Sequence, residues 1–149
     1  MLEFKKITKE EDFNENLTRE KYIDFLYEHL KPFGDEKSAI SKCIDFVFGK
    51  DDGLGGFLLA AYEDGKLAGE LVMNNTGMEE YIPENILVYI AVDSQFRNRG
   101  IGRQIVEEAA KHTDGNIKLH VEYDNPAKRL YERIGFTSKY AEMRWNRSE

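Results

Sequence analysis

Three arginines and two glycines crowd into the seven residues Arg97-Asn98-Arg99-Gly100-Ile101-Gly102-Arg103. The stretch lies between an apolar run and an amphipathic one, which predicts a strand, a turn and the start of a helix. A helix start leaves amide N–H groups without partners and carries partial positive charge, an arrangement that suits a phosphate. Gly100 and Gly102 remove side chains, so an anion can approach the backbone closely. Arg97, Arg99 and Arg103 add cationic charge around the same point. Asn98 is among the few non-glycine residues that tolerate positive φ, which helps bend amides into an anion nest. The spacing is neither that of a Rossmann fingerprint nor that of a Walker loop. A second ordered stretch follows, Asn125-Pro126-Ala127-Lys128-Arg129-Leu130-Tyr131-Glu132-Arg133-Ile134-Gly135-Phe136.

The elements that must position these residues are legible from periodicity. Leu2 to Ile7 reads as a first strand. Thr18 caps a helix running to about Lys31, with Tyr22, Phe25, Leu26, His29 and Leu30 on one face. Pro32 and Gly34 stop it, and Asp35 opens a second helix with Ile40, Cys43, Ile44, Val47 and Phe48 on its inner face. Phe57 to Tyr62 and Lys66 to Met73 form a hairpin around Asp64-Gly65, because the tight turn needs positive φ. After a polar loop from Asn74 to Glu84, Ile86 to Val92 is a continuous apolar run, expected of a strand covered on both faces. A helix from about Gly100 to His112 has Ile101, Ile105, Val106 and Ala109 as its inner stripe. Asn116 to Glu122 is another strand, Pro126 starts a short helix that Gly135 ends, and Phe136 to Tyr140 with Ala141 to Trp145 reads as a closing hairpin.

Together with Ile90-Ala91-Val92, the two chemical stretches resemble the GNAT superfamily of acetyl-CoA-dependent N-acetyltransferases. The likeness is specific from about Ile86 to Phe136 and extends in element order over the chain. It implies one α/β (α+β) domain over residues 1–149, with a mixed, mostly antiparallel sheet of about seven strands and helices on both faces. Two central parallel strands are expected to splay around the cofactor. The resemblance assigns Arg97, Asn98, Arg99, Gly100, Ile101, Gly102 and Arg103 to the pyrophosphate of acetyl-CoA, the co-substrate. Ile90 and Val92, with Ala91 between them, would offer backbone groups to the pantetheine arm, which lies like an added strand. Asn125 matches an asparagine that often contacts the cofactor, although its spacing to Leu130-Tyr131 is one residue shorter than usual. Tyr131 matches the family's usual general acid.

Direct attack of an amine on the thioester expels a thiolate. A phenol of pKa about 10 beside a thiol of about 8.5 can protonate it. The amine, with a pKa near 10, must first lose a proton. His120, expected on the strand after the cofactor helix, is one candidate base, because histidine is the side chain whose ordinary range spans neutrality. Glu70 and Glu122 are rivals, because the glutamate that other members place early on the central strand falls at about Ile86 here. Cys43 belongs to an apolar helix stripe and reads as packing. No histidines and carboxylates have metal-ligand spacing, so no metal is expected.

Length and composition set the outer bounds. At 149 residues and 41% hydrophobic, the chain is long enough to bury one core without staples. One cysteine excludes a disulfide framework. The apolar runs fall far short of a bilayer span, and the N-terminus lacks a secretory core, so a cytoplasmic protein without membrane attachment is expected. The net charge of −7 argues against nucleic acid, but residues 1–96 carry −10 and residues 97–149 carry +3. The basic portion holds the anion machinery. The acidic portion holds the elements expected to bind the acceptor: the first two helices, their connecting loop and the Asn74–Glu84 loop, with Asp35, Glu36, Glu79, Glu80 and Glu84. A field of that sign attracts protonated amines. The acceptor is therefore expected to be a small-molecule or peptide amine, cationic if the charge split matters, and the protein a monomer or homodimer. A non-catalytic acyl-CoA-binding module on the same fold is the rival reading.

Overall fold

The computed structural model describes residues 1–147. The chain divides into two compact units, Met1–Leu119 and His120–Glu149, the second described as far as Arg147. The first contains β1 (Leu2–Ile7), α1 (Arg19–Leu30), α2 (Lys37–Val47), β2 (Gly56–Glu63), β3 (Lys66–Asn75), β4 (Asn85–Val92), α3 (Ile101–Lys111) and β5 (Ile117–Leu119). The strands lie in the order β1-β2-β3-β4-β5, antiparallel except for the parallel pair β4–β5.

Local chemistry accounts for these boundaries. Thr18 accepts a hydrogen bond from the Lys21 amide and so caps α1. Asp64 and Gly65 take φ of 51° and 80°, the two positive values that a tight hairpin turn needs. Along β2 and β3, side chains alternate between two covered faces. Leu58, Ala60 and Val72 join Ile7, Leu17, Tyr22, Leu26, Ile40 and Ile44 in a core beneath α1 and α2. On the opposite face, Gly69 admits α3: a Cβ there would stand 2.5 Å from Ile105 Cδ1 and 3.0 Å from the Ala91 carbonyl oxygen. Tyr22, fully buried in α1, places its hydroxyl 3.0 Å from the Leu59 oxygen and 2.9 Å from the Leu71 oxygen, where it donates to one at a time. That bond satisfies a polar atom that would otherwise be costly in the core.

The β4–β5 ladder is short. It pairs Asn85 with Ile117, Ile86 with Lys118 and Leu87 with Leu119, and stops there. β4 continues to Val92, paired only with β3. The run Ile86–Val92 is less covered than its composition suggested: Leu87, Tyr89 and Ala91 are buried on one face, whereas Ile86, Val88, Ile90 and Val92 on the other are only half-buried. Among the described residues, no strand pairs with the other edge of β4 beyond Leu87.

The second unit holds α4 (Ala127–Ile134). Asn125 Oδ1 accepts from the Ala127 amide at 2.9 Å, and Gly135 ends the helix at φ 125°. Tyr131 is buried, its ring 5.9 Å from that of Phe136.

The sheet has five strands among the described residues, not about seven. The expected hairpin of Phe136 to Tyr140 with Ala141 to Trp145 does not form, and Tyr140, Met143 and Trp145 are exposed. Alternation supplies a face, but a strand also needs a hydrogen-bonded neighbour, and this segment's two halves do not pair. The strand expected to reach Glu122 ends at Leu119, which leaves His120 off the strand and exposed.

Candidate active site

The turn from β4 into α3 leaves backbone donors open at the start of a helix. Asn98 takes φ 64° and Gly100, the N-cap of α3, takes φ 74°. A Cβ on Gly100 would meet nothing within 4 Å, so the glycine serves the left-handed backbone rather than a tight contact. No side chain caps α3 and no acid stands in its first turn. Its leading amides are thus left for an external acceptor.

The three arginines are not equivalent. Arg97 donates from Nε to the Val92 carbonyl at 3.2 Å and from Nη2 to the His29 carbonyl at 2.8 Å. It therefore ties the turn to the last turn of α1, in addition to any role toward a phosphate. Arg99 lies over the Phe96 ring at 5.4 Å, and Arg103 meets Glu107 at 3.4 Å with both side chains about half exposed. Those two guanidiniums remain free to turn toward an anion, because exposed pairs of this kind hold weakly.

Beside this turn, the free stretch of β4 carries Ile90, Ala91 and Val92. Directly across the ladder from Ala91 stands Glu70 of β3, with Ala60 opposite it on the other side. Glu70 is wholly buried, and neither carboxyl oxygen has a partner among the described residues. Burial raises its pKa well above the ordinary carboxylate value. The Tyr22 and Tyr62 phenols, themselves raised first by burial, are raised further by its charge.

On the same face of β4, two residues before Ala91, the Tyr89 hydroxyl donates to Asp35 Oδ2 at 2.6 Å. Burial and then Asp35 raise the Tyr89 pKa. Tyr89 was missed in the sequence, since its partner lies 54 residues away and nothing local announces the pair. Cys43 packs against Asn74, and burial pushes its thiol up to about 11.

In the second unit, burial and then the Glu122 carboxylate raise the Tyr131 phenol to about 12. Asn125 uses both ends of its amide locally, capping α4 and donating to Glu122 at 3.1 Å. Among the described residues, no group of three or more His, Cys, Asp or Glu is arranged to hold a metal. No described helix is long and apolar enough to cross a membrane.

The sequence pattern of the acetyltransferase (GNAT) domain matches residues 55–138, more than half the chain and the whole run from β2 past α4. The chain belongs to the GNAT acetyltransferase family. It is accordingly an N-acetyltransferase, and acetyl-CoA is its co-substrate. No curated protein sequence matches the chain. Solved structures match its fold at low identity. A possible acetyltransferase from Clostridium difficile 630 is 15% identical, with 100% of this chain and 99% of that one covered at a TM-score of 0.68. The aminoglycoside N-acetyltransferase AAC(6')-Iy in complex with CoA is 14% identical, covering 99% and 95% at 0.67. A ribosomal-protein-alanine N-acetyltransferase from Brucella melitensis biovar Abortus 2308 is 14% identical, covering 98% and 99% at 0.63.

Proposed function

We propose that this GNAT acetyltransferase moves the acetyl group to a primary amine by direct attack in a ternary complex, with residues 1–149 acting as one catalytic domain in the cytoplasm. The observation that carries the donor side is the β4–α3 turn, an uncapped helix start preceded by two left-handed residues and flanked by Arg99 and Arg103. In this reading its amides and those arginines hold the pyrophosphate, and the free edge of Ile90 to Val92 takes the pantetheine arm as an added strand. Acetyl-CoA supplies the activated acetyl group when bound. The Val92 carbonyl already accepts from Arg97 Nε at 3.2 Å, so the arginine also braces this edge.

Tyr131 donates the proton that the leaving sulfur needs. Its raised pKa keeps the phenol protonated throughout the neutral range. Of the candidate bases, Glu70 is favoured by its two unpartnered oxygens and by a proton affinity that burial raises above that of an ordinary carboxylate. It would act through water. His120 is the second reading, as an exposed imidazole just past β5. The acceptor is a small-molecule or peptide amine. An amino sugar is one such class, supported by the fold shared with an aminoglycoside acetyltransferase solved in complex with sisomicin, 16% identical at a TM-score of 0.61.

Thiol release from acetyl-CoA across a panel of amines, with mass spectrometry of the products, tests the activity. Tight CoA binding with no acetylated product from any amine would instead favour a non-catalytic acyl-CoA-binding module.

A further inference from the structure

We propose that His29 is a positioning residue of the donor site: its protonated ring offsets Asp93, the one acid in the turn between β4 and α3, and so tightens the binding of CoA. The inference rests on the reading above that this turn takes the pyrophosphate.

Asp93 is the only acid between Glu84 and Glu107, in a stretch that holds Arg97, Arg99 and Arg103. Its Oδ1 accepts from the Gln95 amide at 2.9 Å, which fixes the carboxylate at the head of the turn. Its Oδ2 faces His29 Nε2 at 3.6 Å, too long for a hydrogen bond but within range of an ion pair once the ring is protonated. The two side chains are 19% and 23% exposed, so water screens them less than a pair on the open surface. His29 is held in place at both ends. Its ring lies 4.5 Å from that of Phe25, and its carbonyl accepts from Arg97 Nη2 at 2.8 Å. Among the described residues, Asp93 and Arg97 are the charged side chains that pair or bond with His29 from outside α1, while its sequence neighbours Glu28 and Lys31 pair with each other.

A carboxylate at the head of an anion-binding turn opposes the anion. Histidine is the side chain that ordinarily changes charge within the physiological range. On the acid side the imidazolium offsets Asp93, and on the alkaline side the carboxylate stands bare. CoA should therefore gain affinity from this pair as pH falls. The bonds that shape the turn do not depend on either charge. Arg97 bonds the backbone carbonyl of His29, which His29→Gln retains, and Asp93→Asn keeps a side-chain oxygen for the Gln95 amide. These two substitutions thus remove charge while sparing the hydrogen bonds.

The test measures equilibrium binding of CoA by calorimetry from about pH 5.5 to about pH 8.5 for wild type, His29→Gln, Asp93→Asn and Arg99→Ala, at low and high salt. Phosphate groups of CoA themselves titrate near pH ~6, so the quantity compared is the ratio of wild-type to variant affinity at each pH. His29→Gln should match wild type at the alkaline end and bind CoA about two- to fivefold more weakly at the acid end. Asp93→Asn should match wild type at the acid end and bind about two- to fivefold more tightly at the alkaline end. A purely structural role for Asp93 gives no such gain. Both differences should shrink at high salt. Ratios that do not change with pH, or weaker alkaline binding by Asp93→Asn, overturn the proposal. Arg99→Ala should weaken CoA binding at every pH. Unchanged affinity in that variant overturns the pyrophosphate reading itself, whereas weakened affinity there with flat ratios in the other two overturns the role of His29 alone.

Discussion

Arg97 donates from Nη2 to the carbonyl oxygen of His29 at 2.8 Å, across 68 residues of sequence. That carbonyl belongs to the last turn of α1, where no following helical amide remains to bond it. The arginine therefore caps the C-terminus of α1 while its own backbone belongs to the turn between β4 and α3. His29 Nε2 and Asp93 Oδ2, 3.6 Å apart, join the same two elements again.

This double duty separates Arg97 from Arg99. Arg97→Ala should lower unfolding free energy by about 1 kcal/mol in a denaturant titration, because a charge-assisted bond at an exposed site is lost, and should also weaken CoA binding. Arg99→Ala should leave stability within about 0.5 kcal/mol and weaken CoA binding alone. Equal stabilities for the two variants would show that the bond to His29 contributes nothing.

Glu70 predicts a trade between stability and activity. Its pKa is raised on folding, so between the unfolded value near 4.3 and the higher folded value the native state binds more protons than the unfolded chain. Stability must then fall as pH rises through that window. Glu70→Met removes the unpartnered carboxyl and should gain about 1–3 kcal/mol at about pH 8 while flattening the pH dependence. If Glu70 is the base, both Glu70→Met and Glu70→Gln lose turnover and keep CoA affinity. A destabilised Glu70→Met would mean that the carboxyl is satisfied in solution.

Much of this arrangement is legible in the sequence, and the boundary of what is legible has a physical cause. Local signals were enough for the Thr18 cap, the Asp64-Gly65 turn, the left-handed Asn98 and the inner stripe of α3, since each depends on neighbours within a turn or two. The ends of β5 and the absent hairpin after Phe136 were not legible, because a strand's length is set by its ladder partner and not by its own alternation. The same holds for side chains: Asp35, Tyr89, Arg97 and His29 are ordinary residues in sequence, and their pairings arise only from tertiary placement. Glu70 was visible as a carboxylate on a strand, but its isolation among Ala60, Ala91 and two tyrosines was not.

Cys43 should be chemically quiet. Burial pushes its thiol up to about 11, partly offset by the Asn74 amide, so almost no thiolate exists near neutral pH. Alkylation by iodoacetamide should be far slower than that of a free thiol, and Cys43→Ala should keep wild-type turnover. An acetylated cysteine trapped by mass spectrometry, or loss of activity in Cys43→Ala without loss of folding, would replace direct transfer with a covalent route.

Tyr131 gives the most direct reading of the acid step. A general acid works while it holds its proton, so activity due to Tyr131 is lost only as pH rises through its pKa. With that value raised to about 12 by burial and then by Glu122, kcat should show no Tyr131-dependent decline up to about pH 10. Tyr131→Phe should preserve CoA affinity and lower kcat by roughly 10²–10⁴. It also removes only a hydroxyl, so packing against Phe136 and the melting temperature should be retained. Glu122→Gln removes the nearby anion and should bring the alkaline limb of the wild-type profile to lower pH. Wild-type kcat in Tyr131→Phe, measured with the step after product formation shown not to be limiting, would assign the proton to another donor.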